Sequence, residues 1–298
     1  MKMKIYLPLY YKDFKCIAER CRHSCCIGWK IAVDEATIER YEGLPDGKSI
    51  LRHIQNGEIT LCRDGRCPFL RPDGLCQIIA DYGEDFTSEV CREHPRFYHR
   101  VGKRIEGGIG ASCEEAARIV LSSDSYTDFV MAEWCGDPAE ETDLDTLSYR
   151  EAIYSILRDG ALSYGEKLLK IRAGFCLTEP MDTAEEWNEI LLGLEYLDDK
   201  HRGRLRVGKS DCRAELQPYF ERFFAYLVFR HVSIADSYDN LRARIGFCLL
   251  LTRILENLTA EGMPSFEELV DFVRLISEEI EYSEDNTDAL VFEIECNL

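Results

Sequence analysis

Nine of the fourteen cysteines in this 298-residue chain fall within its first 123 residues: Cys16, Cys21, Cys25, Cys26, Cys62, Cys67, Cys76, Cys91 and Cys113. No other feature restricts the fold as much. Thiols this dense are joined as disulfides, bound to a metal, or packed as small apolar groups, and each choice implies a different front segment. Disulfides need an oxidising compartment. The opening MKMKIYLPLYYKDFKC offers no route to one, because Pro8 and Lys12 interrupt its apolar residues and no small-residue cleavage site follows. A cytoplasmic protein is the expectation. Simple packing suits Cys135, Cys176, Cys212, Cys248 and Cys296, which stand singly, mostly in helical segments. For the front group metal ligation is favoured, since soft, charged sulfur matches Zn²⁺ and iron–sulfur clusters.

The spacing narrows the metal chemistry without naming it. The order is C-x4-C-x3-C-C, then C-x4-C-x8-C, then Cys91 and Cys113, so the C-x2-C pairs of common zinc modules are absent. Cys21-x3-Cys25 starts like the radical-type motif C-x3-C-x2-C, but Gly28 occupies its third position. Adjacent Cys25 and Cys26 point apart in most backbone conformations, so at most one of them is expected to bind while the other packs. His23 and His94 lie beside the cluster and are read as hydrogen-bonding neighbours more readily than as ligands. No H-E-x-x-H or Ser/His/Asp arrangement is present.

Charge divides the chain in the same place as cysteine. Residues 1–123 carry 19 basic and 18 acidic side chains, and residues 124–298 carry 17 and 37. Two units are expected, 1–123 cysteine-rich and 124–298 acidic and helical, joined near Ser122–Ser125 or in the stretch Gly136–Asp145. The acidic excess argues against nucleic acid as a partner. No apolar run approaches the roughly 20 residues that cross a bilayer, which argues against a membrane as well.

Periodicity gives an α+β, predominantly α fold. Helices are predicted over Thr146–Leu157, from Asp182 and Glu185 through Leu197, over Leu216–Val232 and Leu241–Leu258, and after the capping box Ser265/Glu268. In front, short helices fit Ala36–Tyr41, Ser49–Gln55 and Ser88–Glu93. Short strands fit Glu58–Cys62 and Leu75–Ile79, and Phe97–Val101 with Arg104–Ile109 flank a hairpin turn at Gly102-Lys103. Ser112 with Glu115 predicts a further capping box. Elements this short bury little core, so a staple is expected.

Several segments are familiar together: Phe14-Lys15-Cys16; Cys21-x3-Cys25-Cys26-x-Gly28-Trp29-x-Ile31; Cys67-Pro68-Phe69-Leu70 with Asp73-Gly74-x-Cys76; Cys91-x3-Pro95-Arg96; and Ser112-Cys113-x-Glu115-Ala116-Ala117. They resemble the flagellin lysine-N-methylase family. The middle of the run is also similar to the zinc- or iron-chelating domain family. Fainter likeness extends to Tyr219–His231 and Ile280-Glu281-Tyr282-Ser283.

The resemblance implies methyl transfer from S-adenosylmethionine to lysine on flagellin, in a protein whose cysteines hold an iron–sulfur cluster. By position it implies Cys21, Cys25, Cys26, Cys67, Cys76, Cys91 and Cys113 as candidate ligands, about four of them direct. Cys16 and Cys62 are less secure, and His94 stands where the family has an aromatic residue. A non-catalytic zinc- or iron-binding module and an iron–sulfur redox enzyme are the rival readings. Gly107-Gly108-x-Gly110 is an incomplete dinucleotide fingerprint, which disfavours a Rossmann-type cofactor site. Tyr6, Tyr10, Tyr11 and Trp29 are candidate stacking groups, with a core role the commoner alternative. The acidic half could attract a lysine-bearing protein, although an ordinary solvated face explains it as well. No residue identifies itself as a catalytic base.

Overall fold

The structure is a computed structural model that describes residues 3–29, 31–101, 104–134, 144–177, 184–208 and 213–298. It is α+β and predominantly helical, with its strands gathered towards the front of the chain. The expected hairpin forms from β4 (Arg96–Val101) and β5 (Arg104–Ile109), paired antiparallel with Arg96 opposite Ile109; its turn at Gly102-Lys103 lies outside the described residues. Two strands join it that periodicity did not reveal. The first segment, β1 (Met3–Pro8), runs parallel to β5 with Ile5 beside Ile105, and β6 (Phe129–Trp134) runs antiparallel to β1. The sheet order is β4-β5-β1-β6, so a strand from beyond Ser122 completes the front sheet.

Two apolar clusters organise the molecule. The larger joins the sheet and its following turn, through Ile109, Ala111, Tyr10 and Phe14, to the helices. At its centre lies α9 (Gln217–His231), opened by Pro218 in its first turn and apolar on nearly every side; Phe220, Phe223, Phe224 and Leu227 are fully buried. Against it pack α5 (Glu114–Ser122) and the long α10 (Tyr238–Leu258). Ala116 and Ala117 let α5 approach closely. Helix α11 (Phe266–Ile276) covers α5 and begins with the expected Ser265/Glu268 capping box. It continues through a π-helical turn, Ser277–Glu281, into α12 (Glu284–Cys296).

The smaller cluster consists of Ile31, Val33, Tyr41, Ile50, Ile59, Cys67, Phe69 and Ile78, with Cys26, Trp29 and Cys76 packed on its edge. It is built from α1 (Glu35–Glu42), α2 (Gly47–Leu51), the two-residue strands β2 (Ile54–Gln55) and β3 (Glu58–Ile59), α3 (Gln77–Tyr82) and α4 (Glu89–Glu93). The helix expected over Ser88–Glu93 forms as α4, with Ser88 as its N-cap. The helix expected over Ser49–Gln55 stops at Leu51, because Ile54 and Gln55 pair with Ile59 and Glu58. Leu75–Ile79 is not a strand: only Cys76 bridges, opposite Leu70, and α3 starts at the next residue.

The remaining helices are α6 (Thr146–Leu157), matching its prediction, α7 (Tyr164–Phe175) and α8 (Ala184–Gly193). Asp182, the expected opening of α8, lies outside the described residues, as does most of the Gly136–Asp145 stretch. Among the described residues no helix is long and apolar enough to cross a membrane.

Candidate metal centre

All twelve described cysteines are free thiols; Cys135 and Cys212 lie outside the described residues. The front thiols are carried by turns and helix starts, where backbone N–H groups are unsatisfied. Cys76 precedes α3, and the nearby N–H groups of Ile78 and Ile79 act on its thiol against burial, without a side-chain cap bond. Cys113 occupies the N-cap of α5, where the N–H groups of Glu115 and Ala116 act in the same way. The expected capping box of Ser112 and Glu115 does not form, because the helix begins one residue later, with Cys113 at its N-cap. Cys67 is buried and its sulfur receives the Phe69 N–H.

Burial dominates the titration of these groups. It pushes Cys113 and Cys67 up to about 12 and Cys21 up to about 11, against the opposing backbone donors. Cys25 and Cys26 do not point apart as expected. The Cys25 thiol hydrogen-bonds to Cys26, which raises the first and lowers the second. Cys62 is exposed, and its backbone N–H pairs with the carbonyl of Arg66.

Neighbouring sulfurs sort the nine positions further. Cys67 lies within electrostatic reach of Cys26, Cys76 and Cys91. Cys113 lies within reach of Cys21 and Cys16. Among the described residues no three His, Cys, Asp or Glu side chains are arranged to hold a metal ion. The donor chemistry nevertheless suits a thiolate-bound centre, with several soft sulfurs on turns that already direct N–H groups at them.

The loop carrying Cys21–Cys26 is fastened to the helices by one carboxylate. Glu114, at the first position of α5 and 1% exposed, accepts from the backbone N–H of Arg22 at 2.8 Å and of His23 at 3.2 Å. It also accepts from Arg22 Nε at 3.0 Å and Arg118 Nη2 at 3.1 Å. Burial alone would raise its pKa, but the donors of Arg22 hold it below the usual carboxylate range. Arg22 reaches on to Asp271 at 3.0 Å and Glu267 at 2.9 Å, and His23 meets Asp271 at 3.3 Å. His23 thus serves as a hydrogen-bonding neighbour.

Beside these thiols lies an assembly that the sequence did not announce. Trp29 packs edge-on against Tyr282 with ring centroids 4.9 Å apart, and His94 stands 6.0 Å from Tyr282 and 6.5 Å from Trp29. Tyr282 Oη and His94 Nδ1 are 3.3 Å apart. Burial lowers His94 to about 4, which leaves the ring neutral near pH 7. Behind this wall Arg230 lies over Tyr282 and Phe97 and pairs with the buried Glu281 at 2.8 Å. Tyr226 donates to Glu281 and accepts the Ala111 N–H at 2.9 Å, two residues before Cys113. Glu281 Oε2 has no hydrogen-bond partner. The faint likeness at Tyr219–His231 and Ile280–Ser283 was the signal that could have found this cluster. Part of the acidity of residues 124–298 is accordingly internal, with Glu256, Glu279 and Glu281 all buried.

Of the candidate stacking groups, Tyr10 is buried in the larger core, Tyr11 Oη lies 3.3 Å from Tyr98 Oη, Tyr6 lies under Arg104, and Trp29 joins the wall. The glycines of Gly107-Gly108-x-Gly110 serve packing. A Cβ at Gly107 would stand 2.9 Å from Leu7 and Tyr98, one at Gly108 would collide with the Phe97 ring, and one at Gly110 would stand 2.8 Å from Arg230. A cleft lined by Tyr126, Tyr164, Gln217, Glu221 and Arg222 contains none of the candidate cysteines.

No family model and no solved structure matches the chain. It is 27% identical over 129 residues to proteins named Lysine-N-methylase from Salmonella choleraesuis and Salmonella typhimurium, covering 39% of this chain and 32% of each relative. It is 26% identical over 129 residues to the flagellar biosynthetic protein FliU of Salmonella muenchen, covering 75% of that protein. The match thus spans about a third of the lysine-N-methylases' own length. Over this stretch the chain is similar to proteins named lysine-N-methylase and to FliU.

Proposed function

We propose that this protein transfers a methyl group from S-adenosylmethionine to lysine ε-amines of a protein substrate resembling flagellin, and that thiolates of its front segment hold an iron–sulfur cluster. One observation carries the reading. The cysteine-bearing loop ends at Trp29, whose ring meets His94 and Tyr282 to form an aromatic wall against the Cys113 turn.

Methyl transfer to an amine starts from a sulfonium and ends with a methylammonium, both cationic and weakly hydrated. Aromatic faces attract such cations by about 0.5–2 kcal/mol. The acceptor amine must be neutral when it attacks, and an apolar, partly buried wall lowers a lysine pKa in that direction. Arg230 and Glu281 hold Tyr282 in place from behind. His94, kept neutral by burial, adds no competing charge.

Cys21, Cys25, Cys26, Cys67, Cys76, Cys91 and Cys113 are the residues that would hold the cluster, which supplies a thiolate-bound staple for the short front elements. The test is to incubate anaerobically purified protein with methyl-labelled S-adenosylmethionine and a flagellin-type acceptor, then locate label on lysines by mass spectrometry. Labelled lysine is expected, with about tenfold less in Trp29→Ala. Metal-loaded protein that binds no S-adenosylmethionine and transfers no label would overturn the reading.

A further inference from the structure

The geometry points to two four-thiolate iron–sulfur centres in the front segment, one on Cys26, Cys67, Cys76 and Cys91 and the other on Cys16, Cys21, Cys25 and Cys113. The inference rests on the cluster reading above and deepens it: it brings in Cys16 and divides the adjacent Cys25 and Cys26 between two sites.

The first group is assembled by backbone pairing. The N–H of Cys67 donates to the carbonyl of Cys26 at 2.8 Å, and Leu70 N–H closes a turn on the carbonyl of Cys67 at 3.0 Å. Leu70 then bridges to Cys76, and Gln77 N–H returns to the carbonyl of Phe69 at 2.7 Å. The chain thus doubles back and brings Cys67 and Cys76 to the same edge of the small core as Cys26. Helix α4 brings Cys91, whose sulfur meets Ser88, and Tyr41 neighbours both Cys76 and Cys91. Each of these four sulfurs lies within electrostatic reach of the other three.

The second group gathers where the Cys21–Cys26 loop is fastened to α5. Cys21 Sγ stands 3.7 Å from Glu114 Oε2, and Glu114 adjoins Cys113 in sequence. Cys25 lies within reach of Cys113 and Cys16, and Cys113 within reach of Cys16 and Cys21. The hydrogen bond between the Cys25 and Cys26 thiols is the seam between the groups. On either side of this seam the neighbours differ: Cys26 has Cys67, Cys76 and Cys91 around it, and Cys25 has Cys113 and Cys16.

The chemical class is that of the cluster reading: a cubane cluster takes one thiolate at each iron, and each group offers four thiols with no nitrogen or oxygen donor among them. The backbone N–H groups already directed at Cys67, Cys76 and Cys113 are the donors that cluster-bound sulfurs receive.

The test measures iron and acid-labile sulfide in full-length protein purified anaerobically, as wild type, Cys76→Ser, Cys113→Ser and the double variant. Wild type should hold about eight iron atoms per chain. Each single variant should keep half, and the double variant should keep none. Electron paramagnetic resonance of the reduced wild type should show the broadening of two interacting clusters, lost in either single variant. The wild-type stoichiometry does not depend on how the variants fold. About four iron atoms per chain in wild type, with no interaction signal, would overturn the two-centre inference and leave the cluster reading intact. Protein with zinc or no metal would overturn both.

Discussion

Replacing Glu114 with alanine should release the cysteine-bearing loop from the helices. The carboxylate accepts two backbone N–H groups, of Arg22 and His23, and two guanidinium groups, of Arg22 and Arg118. Arg118 keeps Glu115 and Glu267 as partners, and Arg22 keeps Asp271 and Glu267, so the guanidinium groups lose little. The two backbone donors lose their only assigned acceptor in a part-buried position. At about 1–3 kcal/mol for each stranded donor, the substitution should cost roughly 2–6 kcal/mol. Asp271→Ala, at the solvent end of the same network, should cost under about 1 kcal/mol. Urea unfolding measures both, and amide hydrogen exchange across residues 21–29 should accelerate in Glu114→Ala but not in Asp271→Ala. The pH dependence has a defined sign. Because the folded pKa of Glu114 is depressed, its contribution is complete above the unfolded carboxylate value near 4.3 and is lost as pH falls below it. A Glu114→Ala protein within about 0.5 kcal/mol of wild type, with unchanged exchange in the loop, would refute the reasoning.

Three further outcomes are expected. Arg150 on α6 pairs with the buried Glu106 of β5 at 2.8 Å, so Arg150→Met should cost about 3–5 kcal/mol in urea unfolding, while Arg150→Met with Glu106→Leu should recover most of it. Burial lowers His99 to about 4, below its unfolded value of about 6.5, so its contribution is present above pH 6.5 and is lost as pH falls towards 4; His99→Gln should flatten the Tm-versus-pH slope in that window. Gly110→Ala places a methyl 2.8 Å from Arg230 Nη1 and 3.2 Å from Tyr282, which should cost about 1–3 kcal/mol and shift Trp29 fluorescence as the aromatic wall adjusts.

Elements governed by local signals were legible in the sequence. The Ser265/Glu268 box, the apolar run of α9 and the β4–β5 hairpin all follow from periodicity and capping chemistry. The strands β1 and β6 were not, because Met3–Pro8 owes its state to pairing with β5 and β6, and Phe129–Trp134 to pairing with β1, partners that lie far away in sequence. At Leu75–Ile79 and at Ser112 the same physical cause misled the reading. A cysteine stands at each helix start and makes no side-chain cap bond, so neither helix opens with the hydroxyl or carboxylate signal that capping patterns look for. The cluster of Arg230, Glu281 and Tyr226 was hidden because charged residues near helix ends read as solvated, whereas here tertiary packing buries them as mutual partners. The adjacency of Cys25 and Cys26 was plain, but the interaction between their side chains was not.

The account depends above all on sulfurs from separate turns of the front segment surrounding inorganic iron. Iron K-edge X-ray absorption of anaerobically purified protein measures this most directly. It should show iron in a sulfur shell with a clear iron–iron scattering vector. An iron-free sample, or iron bound only by light atoms with no iron neighbour, would contradict it.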